Sequence, residues 1–237
     1  MQQLKVLNAC EESQVICTCF RDVGCEAYSC DLQECSGGHP EWHIHGDFLP
    51  LFNGKCEFIT QDGNKHKIDT KWDLIIFHPP CTFMSKAGAR WMYLKSGVIN
   101  PERLEQAKQA KAFFEKGVKA DCDRIVIENP VPLKIVGLPP PSQVIQPYDF
   151  NEPYSKATCL WVYGDLPLLI PTSMSIIHTP YLPSNTSQFA KGKGGSRGVA
   201  HNPKDASKTF WGVGRAMADQ YVRYITNKDE YYGLHKM

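Results

Sequence analysis

Residues 73–88, DLIIFHPPCTFMSKAG, decide the reading of this chain. Four apolar residues, Leu74 to Phe77, run without interruption. Such a short continuous run predicts a strand covered on both faces, as in a parallel sheet. It runs into His78-Pro79-Pro80-Cys81. Two prolines fix two φ angles near −65° and offer no amide donors, so the chain leaves the sheet extended and stiff. A cysteine held in that position is either buried filler or a nucleophile. Lys86 and Arg90 follow in the same loop, and cations nearby favour the thiolate.

Working outward, LKVLNA (4–9) reads as a first strand and EAYSCD (26–31) as a second. A helix between them is expected to start at Ser13 as N-cap and to end by Gly24, with Ile16, Cys19 and Phe20 on one face. Residues 57–69 alternate on both sides of Asp62-Gly63-Asn64, the pattern of a hairpin. Asn100-Pro101-Glu102 is a helix start: cap, first-turn proline and early acid. Leu104, Ala107, Phe114 and Val118 then share one face to about residue 119. RIVIE (124–128) is the next buried strand. Strands alternating with helices argue a parallel α/β sheet with right-handed crossovers.

Beyond residue 130 the chain is rich in proline, and SQVIQPYDF and ATCLWVYG read as short strands. Residues 170–208 hold few apolar side chains, and a last helix is expected from about Arg215. Three segments follow: an α/β core over 1–137, a short irregular lobe over 138–206, and a C-terminal helix over 207–237 that returns to the core.

The 237 residues carry a net charge of +1, so any affinity for nucleic acid must come from a local patch. No run of about 18 or more apolar residues predicts a membrane span, and the N-terminus lacks the pattern of a secretory signal. A cytoplasmic protein with ten reduced cysteines is the expectation. Cys25, Cys30, Cys35, His39, His43 and His45 cluster in sequence, but they lack the tight ligand pair usual for zinc, and no metal is assigned.

In an open α/β sheet, ligands bind beyond the carboxyl ends of the strands. Those ends carry Asn8 to Glu12, Asp31, the Gly46-Asp47 turn, the His78–Cys81 corner and Glu128-Asn129. Asp31 stands where a carboxylate accepts from ribose hydroxyls, or it is a plain strand-end acid. The first turn has no G-x-G-x-x-G, and its Cys10-Glu11-Glu12-Ser13 would repel a pyrophosphate. A nucleoside cofactor without phosphate and with a cationic sulfonium, S-adenosyl-L-methionine, fits better.

P-P-C-T-F-M-S-K-A-G resembles the catalytic motif P-C-Q-x-F-S-x-A-G of DNA cytosine C5-methyltransferases, with Pro80, Cys81, Ser85, Ala87 and Gly88 in register. Glu128-Asn129 is similar to that family's E-N-V, and Asp31 and Asp47 follow the order of its cofactor motifs. Gly214-Arg215-Ala216-Met217 resembles its closing G-N-x-V. The chain looks like the short methylase-like proteins of bacteriophages and prophages. The first turn is not F-x-G-x-G, Pro130 stands for the valine and Arg215 for the asparagine.

The resemblance implies a doubly wound, mostly parallel α/β fold of the class I S-adenosylmethionine-dependent methyltransferase type. It implies methyl transfer to C5 of cytosine in DNA, in the cytoplasm of a bacterial host. Cys81 would add to C6 of the ring, with Pro80 fixing the corner and Glu128 and Asn129 serving the base. Glu128, acting as an acid near neutrality, would have a raised pKa, as an apolar strand end favours. Ala9, Cys10, Glu11, Ser13, Asp31, Leu32, Asp47, His78 and Pro79 would line the cofactor site. Ser85, Lys86, Arg90, Lys156, Thr158, Lys191, Lys193 and Arg197 would face DNA, either a duplex with a flipped cytosine or a single strand. The short segment before residue 206 leaves room for a separate specificity partner. Two other readings stand beside this one: amino-group methylation of cytosine N4 or adenine N6, and a non-catalytic DNA- or cofactor-binding protein. A thiol suits neither the stacking nor the amine contact of the amino-group chemistry.

Overall fold

The structure is a computed structural model and describes residues 3–173, 182–183 and 208–227. Its centre is a seven-stranded sheet. The strands, in chain order, are β1 (Lys5–Ala9), β2 (Glu26–Asp31), β3 (His43–His45), β6 (Leu74–Phe77), β7 (Arg124–Pro130), β8 (Gln143–Ile145) and β10 (Thr158–Gly164). In space they lie β3-β2-β1-β6-β7-β10-β8. All neighbours from β3 to β7 are parallel, and β10 runs antiparallel to both β7 and β8. This is the expected mostly parallel α/β fold. β4 (Cys56–Ile59) and β5 (Lys65–Ile68) form a separate antiparallel hairpin around Gly63, whose φ of +90° suits glycine alone. A two-residue strand β9 (Tyr154–Ser155) pairs with β11 (Leu182–Pro183). Strands β8 and β10 lie within residues 138–206, so that segment extends the main sheet as well as leaving it.

The helices cover both faces. On one, α1 (Val15–Asp22) and α3 (Trp211–Thr226) bury Ile16, Phe20, Val213, Met217 and Tyr221 against Val6, Leu74, Ile76 and Val126. On the other, α2 (Pro101–Val118) buries Ala107 and Phe114 with Leu7, Ile75, Phe77 and Ile127. Consecutive residues of β6 thus point to opposite cores, which is why its sequence is apolar without alternation. The Asn100 side chain caps α2, accepting from the amides of Glu102 and Arg103. The final helix begins at Trp211, four residues before the expected Arg215. No helix among the described residues is long and apolar enough to cross a membrane.

The start of α1 corrects the sequence reading. Ser13 is not its cap. Gln14 precedes the helix in a left-handed conformation with no side-chain cap. The first amides are instead taken by Glu11, whose Oε1 accepts from Ile16 at 2.5 Å and Oε2 from Cys17 at 3.1 Å. A carboxylate there meets free N–H groups and the positive end of the helix dipole.

Candidate active site

The parallel order brings the ends of β2, β1, β6 and β7 side by side. The corner after β6 is fixed first. The amide of His78 donates to Ala9 O at 2.9 Å, holding it to the end of β1. Asn129 Nδ2 donates to Pro79 O at 2.6 Å, holding it to the end of β7. Pro79 is buried, Pro80 exposed and Cys81 half-buried. A turn opens on Cys81, whose carbonyl accepts from the amides of Met84 and Ser85. This turn is then stitched to the chain after β7: Lys86 N donates to Val131 O, and Leu133 N to Met84 O. The loop that carries Cys81 is therefore bonded to the end of β7, where Glu128 lies, and to the chain just after it.

Glu128 is buried, and its Oε2 is 3.0 Å from His78 Nδ1. Glu128 lines a cleft of about 10 Å³ with Ile145, Pro147, Lys156, Thr158 and Phe210. That is room for about one water. Lys156 Nζ donates to Lys208 O at 3.1 Å, and Thr158 donates to Lys156 O at 3.0 Å.

The ionisation of the site departs from the sequence reading in two respects. Burial pushes the Cys81 thiol up, the charge of Glu128 pushes it further, and Lys156 and a hydrogen bond with Ser85 only partly offset this. The expected low thiol pKa from Lys86 and Arg90 is absent: both side chains are exposed, and Arg90 stacks over Trp91 at 4.6 Å. Glu128 is also shifted the other way. Burial alone would raise its pKa, but the hydrogen bond and charge of His78, with the charge of Lys156, bring it below the ordinary value. His78 is raised although burial opposes its charge, because Glu128 and then Glu11 stabilise the imidazolium. Both shifts favour the charged form of the pair, imidazolium and carboxylate.

The neighbouring strand ends form the second part of the crevice. The amides of Cys10 and Glu11 both reach Cys30 O, and Gly46 N reaches Asp31 O. Burial raises the Cys10 thiol, and Asp31, Cys30 and Asp47 raise it further. Both acids thus lie close to the first turn. Asp31 Oδ1 accepts from Gln33 N, and Asp47 Oδ1 from Leu49 N. Leu32 is 73% exposed beside them. Cys10 and Gln14 have φ of +60° and +58°. The first turn thus holds two side-chain-bearing residues in the left-handed region, a cost of about 1 kcal/mol each. Glu11 occupies the α1 amides that would otherwise bind an anion, so the turn suits a ligand that offers hydroxyls and positive charge.

Of the other expected DNA-facing residues, Ser85 is buried at 3% exposure beside Cys81, and Thr158 is buried at 7%. Neither presents itself to a phosphate backbone. Lys191, Lys193 and Arg197 lie outside the described residues. Among the described residues no group of three is placed to hold a metal. His43 is instead buried between Ser29 Oγ and Gln33 O. His78, expected among the cofactor-binding residues, turns toward Glu128. That pairing joins residues 50 apart in sequence, and no local pattern announces it.

No family model matches the chain, and no curated protein matches it. Among solved structures, a prophage-encoded E. coli protein named as a candidate DNA modification methyltransferase is similar, at 13% identity and a TM-score of 0.43. The match covers 73% of this chain and 52% of that one, so the chain spans about half the length of that structure.

Proposed function

We propose that this chain is an S-adenosyl-L-methionine-dependent methyltransferase acting on C5 of cytosine in DNA through a covalent Cys81 adduct. The observation that carries the reading is the pairing of Cys81 with Glu128. Cys81 follows the end of β6 and Glu128 lies near the end of the adjacent parallel strand β7, Asn129 bonds the two segments together, and the charge of Glu128 acts on the thiol. Carbon 5 of cytosine is a poor nucleophile. Addition of the Cys81 sulfur to C6 makes it enamine-like, and Glu128 shares a proton with the ring nitrogen where the displaced electrons collect. Proton help of this kind contributes about 10²–10⁴-fold.

The first turn supports the cofactor assignment. Asp31 would accept from the ribose hydroxyls and Asp47 would face the adenine side, as the order of the resembled motifs suggests. The bound cofactor would supply a methyl group on a sulfonium, whose positive charge suits the acidic strand ends. Pro79 and Pro80 hold the thiol in place. Asn129 holds the corner through Pro79 O. Arg90, Trp91 and the exposed Tyr93, in the loop after Cys81, are suited to stacking on bases around a flipped nucleotide. Lys86 and Lys156 supply positive charge at the mouth. The DNA-facing roles of Lys191, Lys193 and Arg197, a partner that selects the target sequence, and the division into core, lobe and returning helix belong to the same proposal.

The test is transfer of labelled methyl to DNA, repeated on DNA carrying 5-fluorocytosine. A protein–DNA adduct that survives denaturation, and is lost in Cys81→Ser, is the expected result. Methyl transfer without such an adduct would rule out the C5 route and favour amino-group chemistry. No transfer at all would leave the chain a binding protein.

A further inference from the structure

His78 follows β6, which lies between β1 and β7 in the sheet. It therefore has a carboxyl group from each neighbouring strand end beside it. Glu128, from β7, receives its Nδ1 at 3.0 Å. Glu11, from β1, acts on it by charge, and Lys156, before β10, opposes both. Its other nitrogen, Nε2, is buried with no hydrogen-bond partner among the described residues. Holding Glu128 in place needs only a donor, which an amide would provide. An imidazole adds a proton that can leave.

We infer that His78 supplies, through Glu128, the proton that the pyrimidine takes up when Cys81 adds to it. This deepens the C5 reading and rests on it. The relay starts with Cys81 as a thiol, Glu128 as a carboxylate and His78 as an imidazolium. As the Sγ–C6 bond forms, the thiol proton passes to water at the open side of the loop. The C5=C6 electron pair shifts through C4 to N3. His78 Nδ1 passes its proton to Glu128 Oε2, and Glu128 in turn delivers a proton to N3. The site ends with a protonated ring, a carboxylate and a neutral imidazole, so charge and protons balance. When the sulfur later leaves, the same path carries the proton back. His78 is a positioning and relay residue, since it acts on the ring only through Glu128.

The test is His78→Gln, which keeps a donor for Glu128 but has no proton to give. Single-turnover methyl transfer at saturating cofactor is followed against pH, alongside ¹⁵N NMR of the imidazole. In the wild type the rate is expected to fall on the alkaline side at the pH where NMR shows His78 losing its proton. In His78→Gln the rate drops about 10²-fold, the alkaline fall disappears, and the unfolding midpoint is kept. An unchanged rate and pH profile would overturn the relay while leaving the C5 reading intact. Absence of both transfer and adduct in the wild type would sink the C5 reading, and the relay with it. Should His78→Gln not fold, Glu11→Gln carries the test. Removing that charge moves the wild-type alkaline fall to lower pH, and an unmoved fall overturns the inference.

Discussion

The side-chain amide of Asn129 donates to the carbonyl oxygen of Pro79 at 2.6 Å, clamping the end of β7 to the corner that presents Cys81. Asn129 is 1% exposed. Replacing it by alanine leaves a buried carbonyl without its donor, a cost of about 1–3 kcal/mol. Asn129→Ala is expected to lower the urea midpoint accordingly and to suppress adduct formation more than cofactor binding. Equal loss of both would mean that the clamp serves the whole fold and not the corner.

Cys81 is expected to be a slow thiol in the absence of substrate. Burial and the charge of Glu128 hold its pKa above the ordinary value. Iodoacetamide labelling, followed at the Cys81 peptide by mass spectrometry, is expected to rise only on the alkaline side of that value. Glu128→Gln removes the repulsion and increases labelling at fixed pH severalfold, whereas Lys156→Ala decreases it. Labelling equally fast at neutral and alkaline pH would contradict this electrostatic picture.

Stability is expected to fall as the pH rises through neutrality. Glu11 is fully buried, and burial lifts its pKa from 4.5 to about 7 against the hydrogen bonds of Ile16 and Cys17 and the charge of His78. A carboxyl group raised in the fold contributes most below its unfolded value, and that contribution is lost as pH climbs through about 7. His78 is raised too, so its share is full below its unfolded value and disappears as the imidazolium deprotonates. Glu128 is lowered, so its share is present above the unfolded carboxyl value and is lost only toward acid. The three together place maximum stability on the mildly acidic side. Glu11 alone accounts for about 3 kcal/mol by linkage, lost as the pH rises from 4.5 to about 7. Urea unfolding across this range checks it, and Glu11→Gln should flatten the slope.

Gly117 gives a prediction against local propensity. Alanine in a helix interior gains about 1 kcal/mol over glycine. Here an added Cβ would overlap the ring of Phe77 and touch Ile127 Cδ1 at 3.3 Å. Gly117→Ala is expected to destabilise by about 1–3 kcal/mol through overpacking. Because Phe77 immediately precedes His78, the same substitution should also disturb the His78 NMR signal. A stabilised variant with an unmoved signal would show that the ring has room to yield.

What could be read before the structure was local. Asn100-Pro101-Glu102 names its helix because cap, proline and acid are adjacent, and Asp62-Gly63-Asn64 names its turn for the same reason. Leu74–Phe77 and Arg124–Glu128 read as buried strands because both faces are apolar. What escaped depends on distance. His43-Ile44-His45 has too few apolar residues to read as a strand, yet it pairs with Ser29 to Asp31. The cap of α1 comes from Glu11, which lies outside the usual capping spacing. The direction of β10 is set by its neighbours and not by its composition. The ionisation of the site depends on contacts made only on folding: burial and the charge of Glu128 raise Cys81, and His78 lowers Glu128 against its burial. The corner itself was legible, since the prolines and the cysteine are contiguous.

The packing of α3 on α1 has a consequence for synthesis. Gly214 lies where any side chain would meet Cys19 Sγ at 2.9 Å and Ile16 Cδ1 at 3.3 Å, so the two helices touch closely although most of the chain separates them. On the ribosome, α1 is made early and stays without its cover until residues 211–226 have cleared the exit tunnel. During that interval Ile16, Cys19 and Phe20 form a greasy stripe available to a chaperone. A premature stop before Trp211 would leave that stripe bare for good and send the nascent product toward degradation.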